Sequence, residues 1–162
     1  MADHTALELD TILYHLGQAG SRLAEIGAAE GAAGNISVCL RQPLDVGAQF
    51  PQTQEIELPH AAPELAGMMR VVRGSGRRWR EIAESPLGNL ACVLIHPGGR
   101  RGKMHTSPQR QFQRVTSEFN SHLGVHADRM RLTDIPLHAV IHAQPVHLTH
   151  LSHLEEYQDE KT

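Results

Sequence analysis

Several features are scarce or missing in this 162-residue chain, and each omission narrows what it can be. Only two cysteines occur, Cys39 and Cys92, far apart and without a CxxC spacing. A disulfide scaffold is therefore not expected, and reduced, buried thiols in a cytoplasmic protein are. No apolar run approaches membrane-spanning length, and the acidic, amphipathic start does not read as a signal peptide. Neither charge sign dominates: Lys and Arg number 15, Asp and Glu 18. That balance offers nothing to a nucleic acid or a membrane surface. There is no HExxH, no Walker loop, no Ser-His-Asp spacing, no internal repeat and no low-complexity segment. The length suits a single domain over residues 1–162 with enough chain to bury a core.

Histidine is what the chain has in excess. Of 12, seven fall between His122 and His153. Scattered histidines usually fill surface or core, so spacing must decide whether any binds metal. Arginine is locally dense at Arg77, Arg78 and Arg80 and again at Arg100 and Arg101, which suits surface loops or small anions.

Apolar residues at near-helical spacing from Leu7 to Ile26 predict a helix over about 5–27, with Gly17 and Gly20 interrupting it as a kink or a break into two helices. Gly31 to Gly34 then gives way to the alternating Asn35–Leu40, a tight loop entering a strand. Such a loop either brings backbone N–H groups close to an anion or is a plain turn. Residues 41–66 read as a loop excursion with one strand near Gln54–Leu58, and Glu64–Val72 as a short helix or turn running into a strand. Gly74-Ser75-Gly76 ends that strand and opens a helical pattern, a second candidate anion loop. Asn89–Ile95 is the clearest strand, closed by the turn His96–Gly99. Arg100–Gln113 is polar and reads as loop. Thr116 or Ser117 is placed to cap a helix over Phe119–Met130, and Glu118 sits in its first turn. Leu137–Gln144 reads as a strand stopped by Pro145, which puts His142 and Gln144 on one face. His147, His150 and His153 follow on an expected helix, and Glu155–Thr162 shows no closing element.

Taken in order, Gly34-Asn-Ile-Ser37, Gly74-Ser-Gly76 with Arg80, Glu84-Ser-Pro86, Asn89-Leu90, Thr116-Ser-Glu118 and Ala139-Val-Ile-His142 resemble the class II aldolase/adducin family, nearest its L-rhamnulose-1-phosphate branch. The resemblance runs from about residue 20 to the C-terminus. It implies an α/β fold with a central, mainly antiparallel sheet flanked by helices, usually a homotetramer. It also implies Zn2+ held by three histidines, and reversible cleavage of a ketose 1-phosphate to dihydroxyacetone phosphate and an aldehyde (lactaldehyde). On this chain it implies a phosphate pocket from Gly34, Asn35, Ser75, Gly76, Thr116 and Ser117, Glu118 as general acid/base, and His142 as first metal ligand. Zinc would stabilise the enediolate as a Lewis acid while the phosphate cradle holds the three-carbon unit in register.

The family pattern is broken in places. Gln144 stands where the second histidine is expected, with His147 as a possible substitute, and the third histidine belongs to a C-terminal part of the fold beyond this chain. Arg73 and Cys39 replace an expected threonine and arginine. A C-terminally incomplete domain is accordingly expected, with some core and strand edge exposed. A non-catalytic adducin-like binding domain and a sugar-phosphate epimerase or dehydratase are the alternatives.

Overall fold

The computed structural model describes residues 8–29 and 31–157. Six strands form one sheet: β1 (Asn35–Leu40), β2 (Gln52–Glu57), β3 (Met69–Arg73), β4 (Leu90–Ile95), β5 (Arg101–Thr106) and β6 (Leu137–His142). Their order is β2-β5-β4-β3-β1-β6 and every neighbouring pair is antiparallel. The helices are α1 (Leu9–Glu25), α2 (Trp79–Glu84), α3 (Pro86–Asn89), α4 (Phe119–Leu132) and α5 (Val146–Leu151). This is the mixed α/β architecture that the resemblance implies. Residues 5–7 of the expected first helix, and the chain after Tyr157, lie outside the described residues.

The period-two alternation of β1 decides which layer each side chain joins. Ile36, Val38 and Leu40 pack with Leu9, Ile12, Leu13 and Leu16 of α1 and with Trp79 and Ile82 of α2. Cys39 belongs instead to the opposite layer, with Phe119, Leu123 and Met130 of α4. Asn35 and Ser37 share that parity, so the polar residues of β1 look toward α4. Register carries the same sorting into β6, where Asn35 opposes His142, Ser37 opposes Val140 and Cys39 opposes His138. Both cysteines are free and buried, as expected.

Three sequence expectations are corrected here. The polar stretch Arg100–Gln113 contains β5, which pairs with both β4 and β2. Its Arg101, Lys103 and His105 alternate with buried Gly102, Met104 and Thr106, so the period of two was present under polar side chains. Gly17 and Gly20 do not break α1, which runs uninterrupted to Glu25. They are where α2 crosses: a Cβ on Gly20 would lie 2.6 Å from the Trp79 carbonyl oxygen, and one on Gly17 would lie 2.9 Å from Ala83 Cα. Finally, the strand expected to reach Gln144 ends at His142, because the Gln144 N–H leaves the ladder for the Ala28 carbonyl at 2.9 Å. Pro145 is the N-cap of α5, which carries His147 and His150 but not His153. β6 is an edge strand, with Ile141 exposed, as are Val146, Leu148 and Leu151 of α5.

Glycine replacement should therefore change stability with opposite sign in the two long helices. Gly20→Ala gains roughly 1 kcal/mol of helix propensity but must part α1 from α2, at a net cost of roughly 1–3 kcal/mol. Gly124→Ala in α4, where nothing lies within 4 Å of the new Cβ, should stabilise by up to about 1 kcal/mol. Urea unfolding of both variants checks the pair, and an unchanged midpoint for Gly20→Ala would contradict the close crossing.

Candidate active site

One end of the sheet gathers the start of β1, the end of β3 and the end of β6. At the β3 end, Gly74 forms an isolated antiparallel bridge with Val115, the Ser75 N–H donates to the Arg114 carbonyl (2.9 Å), and the Thr116 N–H donates to the Arg73 carbonyl (3.1 Å). The 73–76 and 114–118 loops are thereby zipped together. On the other side, Gly34 has φ +69°, and a Cβ there would run into the His142 carbonyl oxygen, so glycine is needed for β6 to lie so close.

Glu118 stands at the centre of this corner. Its Oε2 accepts a 2.6 Å hydrogen bond from Asn35 Nδ2 and a short one from His142 Nδ1. Burial raises the carboxyl's pKa, but the Asn35 and His142 bonds and the charges of His142 and His122 outweigh it and leave it below its ordinary 4.5. Glu118 is itself the N-cap position of α4, with no side-chain cap bond. The expectation that Thr116 or Ser117 caps the helix is corrected accordingly: Thr116 Oγ1 accepts the Glu118 N–H at 3.4 Å, which fixes the segment ahead of the helix instead.

The remaining cradle residues differ in their freedom. Gly76 has φ +74° and open space around its Cβ position, whereas Gly34 is filled by β6. Ser75 is partly exposed, Ser117 exposed and Thr116 buried. Thr116 and Ser117 also border a cleft lined by Ile56, Leu58, Met104 and Phe119.

Arg73 was legible in the sequence only as a departure from the family pattern. It is 2 % exposed, its Nη2 donates to the Ala32 carbonyl (2.9 Å) and the Gly34 carbonyl, and its guanidinium lies 5.2 Å from the Trp79 ring centroid. Trp79 Nε1 donates to the intervening Ala33 carbonyl at 2.6 Å. Burial lowers the Arg73 pKa to about 10, opposed by Glu118 and Glu81, so it is charged at neutral pH. Its Nε and Nη1 have no hydrogen-bond partner among the described residues.

Beneath Glu118 lies a second feature that the sequence showed only as abundant histidine. Ser37 Oγ is 2.6 Å from His122 Nδ1 and 2.8 Å from His126 Nε2, and His126 Nδ1 is 3.0 Å from His138 Nδ1. Burial lowers the pKa of His122 to about 4 and of His126 to about 3, so both are neutral at physiological pH.

Among the described residues the donor set does not make up a three-histidine metal centre. His142 gives Nδ1 to Glu118, as a ligating histidine does when it binds through its other nitrogen, but Gln144 is exposed with its backbone drawn to Ala28, and His147 is exposed on α5. Among the described residues no group of three His, Cys, Asp or Glu side chains is arranged to hold a metal ion.

Comparison with known proteins adds to this geometry. Residues 15–161 match the family described as Class II Aldolase and Adducin N-terminal domain. Rhamnulose-1-phosphate aldolases of Yersinia pestis (strain Pestoides F) and Yersinia pseudotuberculosis serotype O:1b (strain IP 31758) are each 27% identical over 110 residues, covering 68% of this chain and 40% of theirs. The chain thus spans about two fifths of the length of these curated relatives. The crystal structure of a sugar-phosphate aldolase from Thermotoga maritima superposes with a TM-score of 0.73 at 26% identity, covering 93% of this chain and 60% of that one.

The neutral histidines predict an acid-sensitive fold. Their folded pKa values lie below the ordinary 6.5, so the unfolded chain takes up protons first as pH falls. The stability they contribute is full above pH 6.5 and declines toward pH 4 and below. Two protons give a slope of about 2.7 kcal/mol per pH unit at most. Urea unfolding between pH 7 and pH 4.5 measures it, and a flat profile would mean that the two imidazoles are not buried neutral.

Proposed function

The chain belongs to the class II aldolase/adducin family, and from that premise we propose that its sheet-end corner binds a phosphorylated ketose and cleaves it by a retro-aldol reaction. The observation that carries this reading is Glu118, held between Asn35 and His142 beside the zipped 73–76 and 114–118 loops. The aldolase names of the Yersinia and Thermotoga proteins support the reaction class, and the Yersinia names support a ketose 1-phosphate such as L-rhamnulose 1-phosphate.

In this reading the phosphate lies over Gly76, Ser75, Thr116 and Ser117. The buried charge of Arg73, with two donor nitrogens that have no partner among the described residues, adds an attraction for a dianion. Fixing the phosphate holds the three-carbon unit in register, so binding energy away from the reacting bond serves the chemistry. Glu118 takes the proton of the hydroxyl on the carbon that becomes the aldehyde. The carbon–carbon bond breaks, its electron pair remains on the three-carbon unit as an enediolate, and a proton returned to that carbon completes dihydroxyacetone phosphate. His142, sharing a hydrogen with Glu118, keeps the carboxylate ionised and aimed.

A second reading, a sugar-phosphate-binding domain without turnover, is favoured by one observation: Gln144 is exposed where the family pattern has a histidine. Turnover separates the two. Incubation with L-rhamnulose 1-phosphate should release dihydroxyacetone phosphate, and Glu118→Gln should lower kcat by about 10²- to 10⁴-fold with little change in KM. Equal turnover by the variant would remove Glu118 from the reaction, and binding without product in both proteins would establish the second reading.

A further inference from the structure

The four-residue chain His122–Ser37–His126–His138 is more than packing, and we propose that it is a proton relay serving the Glu118 corner. His138 is its outer terminal and His122 Nε2 its inner one. The inference rests on the corner being the reacting site.

The geometry is continuous. From His138 Nδ1 to His126 Nδ1, from His126 Nε2 to Ser37 Oγ, and from Ser37 Oγ to His122 Nδ1, the contacts are 3.0, 2.8 and 2.6 Å. Strand parity builds it: Ser37 and His138 point from β1 and β6 toward α4, and His122 and His126 are one helical turn apart on the facing side of α4. His138 is partly exposed, Ser37 and His126 are 0 % exposed, and His122 is 2 % exposed. His122 lies one turn after Glu118 and feels the charges of Glu118, His142 and Arg73. Its Nε2 is buried and has no hydrogen-bond partner among the described residues. A buried, unpaired imidazole nitrogen is costly unless a ligand atom or water completes it.

Hydrogen-bond accounting makes the chain act as a unit. Ser37 has one O–H to give and each neutral imidazole one N–H. If Ser37 donates to His122, then His126 Nε2–H donates to Ser37, His138 Nδ1–H donates to His126, and His122 presents an N–H at Nε2. In the reverse arrangement every donor turns round and His122 presents a bare nitrogen. Passing between them takes one proton in at His138 Nε2, shifts each bridging proton one bond inward, and delivers one from His122 Nε2 to the enediolate carbon of the bound ligand. The proton that Glu118 took from the hydroxyl then passes to the bare His122 Nε2 and runs the chain back, leaving at His138 Nε2, so each turnover restores the starting arrangement.

The surrounding charges favour this neutral, hopping form. Arg70 from β3, together with His138 and His122, lowers the pKa of His126, and Arg129 of α4 acts likewise on His138, in each case after burial. No standing imidazolium sits in the middle of the chain.

The test reads the imidazole tautomers by nitrogen-15 NMR on the whole protein. His138→Phe removes the outer terminal, and the His122 nitrogens, three hydrogen bonds away, should move toward the opposite tautomer. His138→Gln, whose amide both donates and accepts, should keep the wild-type tautomer. An unchanged His122 in His138→Phe, with only His126 responding, would overturn the relay and leave a packing network. If the corner turns over a ketose 1-phosphate, His138→Phe should also slow kcat by about tenfold, short of the loss of the acid/base itself, with recovery on adding free imidazole. The NMR result does not depend on that activity, so loss of the aldolase reading and loss of the relay are separately visible.

Discussion

A buried guanidinium holds the functional end of this fold together. Arg73 closes β3, and its Nη2 collects the carbonyls of Ala32 and Gly34 while Trp79 takes that of Ala33. Because a trans peptide places the next N–H opposite the carbonyl, fixing three carbonyls also fixes the direction in which the loop's N–H groups point. Trp79 is the first residue of α2, so the same interaction ties the glycine loop to the helix that crosses α1 at Gly17 and Gly20. Among the described residues no carboxylate is in direct contact with this charge, and burial lowers its pKa to about 10. An isolated buried charge is unfavourable. Here the carbonyl bonds and the Trp79 face offset part of that cost, and an anion at the cradle would offset more.

The second organising constraint is parity. A strand turns successive side chains to opposite faces, so Asn-Ile-Ser-Val-Cys-Leu gives its apolar residues to the α1 layer and its polar ones to α4. Asn35 then meets Glu118, Ser37 meets His122 and His126, and the register with β6 brings in His142 and His138. A one-residue slip of β6 would turn both of those histidines away from α4. Gly34, on which β6 closes, guards the register at its end.

Much of the fold was legible in the sequence because its signals were local. The glycine loop before β1, the apolar Leu90–Ile95 and the periodicity of α1 all show in the residue pattern. β5 did not, because its alternation runs through Arg, Lys and His rather than apolar residues, and only pairing with β4 and β2 makes it a strand. Gly17 and Gly20 looked like breakers since their function is a close approach to a helix some sixty residues on. In the corner, Thr116-Ser-Glu118 and His142 stood out as chemistry-bearing residues. Arg73 and the His122–Ser37–His126–His138 chain did not, because their partners lie across 12 to 89 residues of sequence and no spacing rule connects them.

The central claim is that the zipped loops beside Glu118 form a sugar-phosphate site. Titration of the nitrogen-15-labelled protein with dihydroxyacetone phosphate, followed at the backbone amides, tests it most directly. Saturable shifts centred on Ser75, Gly76, Thr116 and Ser117, larger than those from inorganic phosphate alone, are the predicted result. Shifts elsewhere on the molecule, or none at these four residues, would contradict it.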